Sequence, residues 1–261
     1  MNKPLAFTKM CVSGNDFIVI DERYCPCNWE SRQVKQLCHR RFGVGADQLL
    51  LIRKSRKADA SMHIYNQDSS KAKQCGNGLC AVANLLLTEK QTSEVHIEVC
   101  GIVHHCCLIS HDSIEVAFPL PLIKKVQHKI VQSTEFDKVL EVDVGNPHLV
   151  LMRRPNIEMQ DFNALGLALQ AKYVSGINVH ALKWLSPDHV HIDHWERGIG
   201  ITPSCGSGSI ASVFAGVSLG ILKHKVVVEN TISNLTIEFT HDKVLLTGVV
   251  TTVFNGKIRV A

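Results

Sequence analysis

Two short stretches, 130 residues apart, constrain this chain more than any other feature. "QCGNGLCAVA" at 74–83 recurs in form as "SCGSGSIASV" at 204–213, with Cys75 answering Cys205. The relation extends to their surroundings. Asn15 in "SGNDFIVI" answers Asn146 in "VGNPHLVL" at an offset of 131, while Gln48 in "GADQLLLI" answers Asn178 in "GINVHAL" at 130. Asn66 in "HIYNQD" answers Glu196 in "DHWERG", again at 130. A thiol, two amides, and an amide or carboxylate thus repeat in one order. This predicts an internally duplicated chain of two similar lobes, and a ligand between such lobes would meet equivalent groups from opposite sides.

Short alternating or β-branched runs dominate the rest. "FIVID", "DQLLLI", "EVHIEV", "SIEVAF", "VLEVDV", "HLVLM", "INVHAL", "HVHIDH" and "KVVVEN" read as strands. Helices are expected in "ESRQVKQLCHRRF" after Asn28, after Cys75, in "DFNALGLALQAK" from 161, and after Cys205. "GLCAVANLLL" and "GSIASVFAGVSLGIL" are apolar nearly all the way round, so each is expected inside a sheet and not on a surface. The proline-bearing "FPLPLIKK" at 118–125 is the best boundary. The expectation is a mixed α/β (α+β) protein with an N-terminal lobe at 1–120, a C-terminal lobe at 121–249, and a last strand at 250–261 returning to the first lobe.

With 261 residues, 45% of them hydrophobic, the chain can bury a sizeable core. A net charge of +4 from scattered lysines and arginines gives no basic stripe, so no nucleic-acid partner is expected. "MNKPLAFTKM" has no apolar core of signal-peptide length, and no stretch approaches the roughly eighteen apolar residues of a membrane span, so the chain reads as cytoplasmic without a membrane partner. Ten cysteines in such a chain are expected to be mostly free thiols. "CPC" at 25–27, with Cys38 and His39 beyond it, matches none of the usual ligand spacings, so no metal is expected.

A Cys-Gly-x-Gly turn opening a buried helix suits a particular chemistry. Backbone N–H groups at a helix start bind an anion such as a carboxylate, and glycine lets the backbone approach it closely. The same positive helix end favours thiolate over thiol, drawing the cysteine pKa down from its free value of roughly 8.5. Two such motifs on opposed lobes would place a thiol on each face of one α-carbon, one to take its proton and one to return a proton from the far side. That describes a two-base racemase or epimerase without metal or other cofactor. For either cysteine alone, a small buried thiol before a turn is the plainer reading. A redox pair would lack any C-x-x-C arrangement, and a hydrolase using His148 as base would not need a second cradle and thiol.

At these residues the sequence resembles the diaminopimelate epimerase family along its whole length, through "GNDF" (14–17), "GADQLL" (45–50), "YNQD" (65–68), "QCGNG" (74–78), "GNPH" (145–148), "INV" (177–179), "ERG" (196–198) and "CGSG" (205–208). The resemblance implies curved, mainly antiparallel sheets, each around a central apolar helix. It implies Cys75 and Cys205 as the acid/base pair, with His148 and Glu196 near the thiols. Asn15, Gln48, Asn66, Asn146, Asn178, Glu196 and Arg197 would line the pocket, and the amides of Gly76, Asn77, Gly206 and Ser207 would hold the reacting carboxylate. The implied reaction interconverts LL- and meso-diaminopimelate, a step toward lysine and cell-wall precursors, in a homodimer. Arg197 beside Glu196 would suit the distal carboxylate and ammonium of such a symmetric diamino diacid.

This chain departs from the family pattern at several points. It has Cys11-Val12 where the family carries histidine-glycine, and Cys80 where it carries arginine. Ile201 in "GIGITPSC" stands for an acidic side chain, and Phe254 in "TTVFNGKI" for a tyrosine used in dimer contact. A racemase of another amino acid, histidine for example, is the alternative on the same scaffold. A non-catalytic amino-acid-binding or thiol-redox protein is the alternative from another class.

Overall fold

The computed structural model describes residues 4–124, 136–153, 159, 161–229 and 234–259. Lys125 of the boundary segment, Asn230 of "KVVVEN" and residues 1–3 and 260–261 of the terminal segments lie outside the described residues. The chain is a mixed α+β protein, and its contacts divide it into two units, 1–117 with 247–261, and 118–246.

The first unit runs β1 (Leu5–Val12), β2 (Asn15–Asp21), α1 (Ser31–Cys38), β3 (Gln48–Arg53), β4 (Ala60–Asn66), β5 (Lys71–Ala72), α2 (Gly76–Lys90), β6 (Glu94–Val99), β7 (Ile102–Ser110) and β8 (Ser113–Pro119). After β9 (Leu122–Lys124), the second repeats that succession as β10 (Phe136–Asp143), β11 (Pro147–Arg153), α3 (Phe162–Gln170), β12 (Asn178–Ser186), β13 (His189–Glu196), β14 (Gly200–Thr202), α4 (Gly206–Ser218), β15 (Lys225–Glu229) and β16 (Leu235–Phe239). The long β17 (Lys243–Ile258) begins in the second unit and continues in the first, antiparallel to β1.

Pairing repeats as faithfully as order. β1–β2 and β10–β11 are antiparallel, β2–β3 and β11–β12 parallel, β3–β4 and β12–β13 antiparallel, and β4–β6 and β13–β15 parallel. Within each unit one apolar helix is enclosed by strands: α2 by β1, β2, β3, β6 and β7, and α4 by β10, β11, β12, β13 and β16. This accounts for their lack of a polar face. α1 stops at Cys38, short of the expected end at Phe42, because the backbone turns extended at His39. The Nδ1 of that imidazole accepts the N–H groups of Arg41 and Phe42 in place of the next helical turn. All ten cysteines are free thiols. Among the described residues no helix is long and apolar enough to cross a membrane.

The duplicated cores differ in polarity on three neighbouring strands. In the first unit Phe17, Leu50 and Ile64 are buried on neighbouring strands β2, β3 and β4. The internal offset carries these positions onto His148, His180 and His194 on β11, β12 and β13, and these are buried too. The imidazoles form one chain. His148 Nε2–H donates to Asn146 Oδ1 at 2.9 Å, so its Nδ1 carries the lone pair that accepts from His180 Nε2–H at 2.8 Å. His180 Nδ1 in turn accepts from His194 Nδ1–H at 2.9 Å. The last lone pair, on His194 Nε2, has no partner among the described residues. Each ring satisfies the next only while neutral. Burial, reinforced at His148 by its neighbour His194, drives His148 and His194 down to about 3 and His180 well below the ordinary imidazole range.

Removing the middle link should therefore cost more than removing the chain. His180→Leu strands an acceptor on His148 and a donor on His194, and should lower stability by about 2–5 kcal/mol in urea titrations. Installing the first unit's trio, His148→Phe, His180→Leu and His194→Ile together, should recover much of that loss. In the unfolded chain these histidines take up protons near pH 6.5, and in the folded chain His148 and His194 do so only near 3, with His180 likewise held well below its ordinary range. The stability they confer is complete above about pH 6.5 and is lost as pH falls, by roughly 1.4 kcal/mol per pH unit for each histidine. Between pH 6.5 and 5 the triple variant should show a distinctly flatter stability profile than the parent chain.

Candidate active site

Each enclosed helix starts on a cysteine held the same way. Cys75 (φ −154°, ψ 104°) and Cys205 (φ −140°, ψ 108°) have extended backbones and cap α2 and α4 with their sulfurs. Gly78 N–H donates to Cys75 Sγ at 3.2 Å, and Gly208 N–H to Cys205 Sγ at 3.4 Å. Ser207 Oγ lies 3.6 Å from Cys205 Sγ. Packing is close at both glycines and leaves no room for a side chain at Gly208. A Cβ on Gly78 would sit 3.1 Å from Cys75 Sγ and 3.2 Å from Leu50 Cδ1, and a Cβ on Gly208 only 2.3 Å from the His180 ring. The His180 ring of the second core thus packs on the glycine whose amide donates to the Cys205 sulfur. Gly76 and Asn77, like Gly206 and Ser207, form the buried first turns, where helix amides point away from any intrahelical acceptor.

In the first unit, Gln48 and Asn66 are paired across β3 and β4, with Gln48 Nε2 donating to Asn66 Oδ1 at 2.9 Å. Asn66 Nδ2 donates onward to Ser70 Oγ, and the buried Gln48 Oε1 has no partner among the described residues. Asn15, at the start of β2, donates to Asp47 Oδ2 at 2.7 Å. Asp47 belongs to a charged network that motif reading missed. Arg40 bonds both Asp16 and Asp47, and Lys9 Nζ bonds Asp16 at 2.5 Å and the Gly45 carbonyl. Burial opposes ionisation of Asp16, but hydrogen bonds from Arg40 and Lys9 outweigh it and hold the carboxyl near 2. Burial and the adjacent Asp16 carboxylate raise Asp47. Cys80, where the family pattern carries arginine, is a buried thiol that burial pushes up.

In the second unit, Asn146 and His148 are joined through the imidazole chain. Asn178 donates to the Pro147 carbonyl at 3.3 Å and accepts the Arg197 backbone N–H at 3.0 Å, tying the ends of β12 and β13 together. Glu196 accepts from Thr202 Oγ1 at 2.6 Å. Arg197 is exposed, its Nη1 donates to the Ser175 carbonyl at 2.6 Å, and no carboxylate among the described residues pairs with it. Its aliphatic stem packs on Gly176 (φ +69°), where a Cβ would lie 2.3 Å from Arg197 Cδ. Ile201 is 58% exposed.

Each unit therefore pairs a cysteine-capped helix start with hydrogen-bonded amides at its strand ends, and a thiol hydrogen-bonded at a helix start is a group that can exchange a proton. His180 and His194 escaped motif reading because they look like core positions. Carrying the offset from the helix motifs onto Leu50 and Ile64 would have found them.

The family model for diaminopimelate epimerase matches residues 7–102 and 140–253. Diaminopimelate epimerase of Coxiella burnetii is 31% identical over 96% of this chain and 98% of its own length. That of Thioalkalivibrio sulfidiphilus is 32% identical over 98% and 99%. Among solved structures, a hydroxyproline epimerase from Agrobacterium vitis superposes with a TM-score of 0.79 at 13% identity, covering 98% of this chain and 93% of that one. A predicted epimerase from Pseudomonas aeruginosa gives 0.76 at 12% identity, covering 98% and 100%. These two share the fold, and the match in sequence decides the family: the chain belongs to the diaminopimelate epimerases and is an isomerase.

Proposed function

We propose that this isomerase interconverts LL- and meso-2,6-diaminopimelate by passing a proton between two cysteines. The observation that carries the reading is the matched pair of cysteine-capped helix starts, Cys75–Gly78 and Cys205–Gly208, with the same backbone and the same N–H to sulfur bond. The amides of Gly76, Asn77, Gly206 and Ser207 hold the carboxylate of the reacting centre, where positive helix ends also stabilise the charge that develops as the α-proton leaves. One sulfur, ionised by its helix amide, takes that proton and becomes a thiol. The other thiol gives its proton to the opposite face of the carbanion and becomes the thiolate, so configuration inverts and no redox equivalent is used. Glu196 takes the distal ammonium and Arg197 the distal carboxylate, while Asn15, Gln48, Asn66, Asn146 and Asn178 fix the rest of the substrate. His148 acts on Cys205 through His180 and Gly208.

A racemase of a one-centre amino acid, with histidine one candidate, is the second reading. Ile201 favours it, since an exposed apolar side chain stands where the family pattern carries an acid. On either reading the chain is a cytoplasmic homodimer. The neighbouring Val253 and Phe254, both about half exposed on β17, offer an apolar contact in which Phe254 also meets Phe7 edge to face at 5.8 Å.

In deuterium oxide, LL-diaminopimelate should give meso product carrying deuterium at the α-carbon, followed by proton NMR. No epimerisation and no isotope uptake at high enzyme concentration would refute the reading, whereas uptake into another amino acid of a panel would move it to the racemase. Cys75→Ala and Cys205→Ala should each lower turnover by roughly a thousandfold or more, given the 10²–10⁴-fold contribution of a single acid or base. Circular dichroism should remain unchanged, and an active variant would exclude the two-thiol route. Light scattering on a sizing column should return the mass of two chains, and Phe254→Glu should return one.

A further inference from the structure

Away from the helix starts, the β6–β7 hairpin carries metal-ligating side chains on one outer face. Residues opposite each other on paired strands share a face, as do residues two apart on one strand. The register sets Glu94 against Cys107 and His96 against His105, so all four lie on the same side. β8 adds Glu115, opposite Cys107 on its other flank. The opposite side of the ribbon carries the buried Val95, Ile97, Cys106, Ile114 and Val116. The donors therefore face outward from a rigid, core-backed sheet.

Their spacing is that of a coordination shell. One ligand atom each from Glu94, His105 and Cys107 lies within 4.8 Å of the others. His105 Nε2 is 3.1 Å from Glu94 Oε2 and 3.5 Å from Cys107 Sγ. With metal–ligand bonds of about 2.0–2.1 Å to nitrogen or oxygen and about 2.3 Å to sulfur, a tetrahedral ion needs edges of roughly 3.3 Å and 3.5 Å. The His96 ring lies 5.0 Å from that of His105. His96 Nδ1 stands 3.9 Å from Asp59, which is engaged by Lys90.

We propose that Glu94, His105 and Cys107 bind one zinc ion on the outer face of this hairpin, leaving its fourth position to His96 or water. A thiolate beside imidazole and carboxylate is a borderline donor set that suits zinc over magnesium or calcium. Binding releases the Cys107 thiol proton to solvent. No cysteine pair two to four residues apart announces the site, because its ligands alternate along facing strands, as Glu94-x-His96 and His105-x-Cys107, with the adjacent Cys106 turned into the core.

Cobalt(II) is the spectroscopic probe, added to the full chain, and zinc affinity is read by competition with a chromogenic chelator. The parent chain and a Cys75→Ala/Cys205→Ala variant should both bind one equivalent, with a thiolate-to-cobalt charge-transfer band in the near ultraviolet. Cys107→Ser should abolish the band, and His105→Ala should weaken zinc binding roughly tenfold or more. Both substitutions lie at partly exposed positions and should leave isotope exchange into amino acids unchanged. Absence of the band in the parent chain, its survival in Cys107→Ser, or zinc affinity unaltered by His105→Ala would overturn the assignment.

Discussion

A helix with a buried first turn must find acceptors for amides that have no carbonyl four residues behind them. Here a cysteine sulfur does this in both units, taking the amide of the third helical residue. The choice propagates outward. At Gly208 the donating residue must be glycine, because a side chain there would strike the His180 ring on the strand behind, and at Gly78 a side chain would press on Cys75 and on Leu50 of the equivalent strand. That strand begins with the amide residue, Gln48 or Asn178, which meets the end of the next strand at Asn66 or beside Glu196. The helix can be apolar all round because strands enclose it on its sides. The placing of each capping thiol thus follows from one sulfur–amide contact and the strands that enclose its helix.

Much of this was legible in residue order. The 130-residue offset is visible because the capping cysteine, the two glycines and the strand-end amides each answer a separate steric or hydrogen-bonding demand, so both copies carry them. The four helices lie where their capping and periodicity place them, and the nine β-branched or alternating runs correspond to strands. What escaped were strands without that signature. β1, "LAFTKMCV", carries a lysine inside its run, and that lysine is buried because Asp16 and the Gly45 carbonyl receive its ammonium. β17 is expected only from 250 onward, yet it starts at Lys243 and, with an irregularity at Lys9/Met10 in its pairing with β1, runs as one strand of 16 residues. Charge networks such as Arg40–Asp16–Asp47 join loops remote in sequence, and no local pattern reports them.

Charge in the described residues is handled in two ways that follow from burial. Around Asp16 the carboxylate keeps its charge because two cations reach it directly, and the attraction exceeds what burial takes away. In the second core no counter-charge reaches His180, so the imidazoles remain neutral and link through alternating donors and acceptors. Both solutions join their members by hydrogen bonds, the imidazole chain leaving only the terminal His194 Nε2 without a partner among the described residues. The ionic network ties Asn15 and its loop in place, whereas the neutral chain ties three strands to one glycine.

A chain that contains its own structural copy faces a hazard during folding: strands of one half can pair with the equivalent strands of the other, since order, direction and register are the same. The exchange of Phe17, Leu50 and Ile64 for His148, His180 and His194 makes such mispairing costly. Were β11 to settle on β3 in place of β12, His148 would meet Leu50 and its Nδ1 lone pair would find no donor; were β12 to settle on β2, His180 would meet Phe17 and its Nε2–H would lose its acceptor. Only the native partner completes the line of imidazoles. The histidines therefore label one half of the duplicated chain as different from the other, and let strands that are interchangeable in backbone be told apart by the side chains they bring.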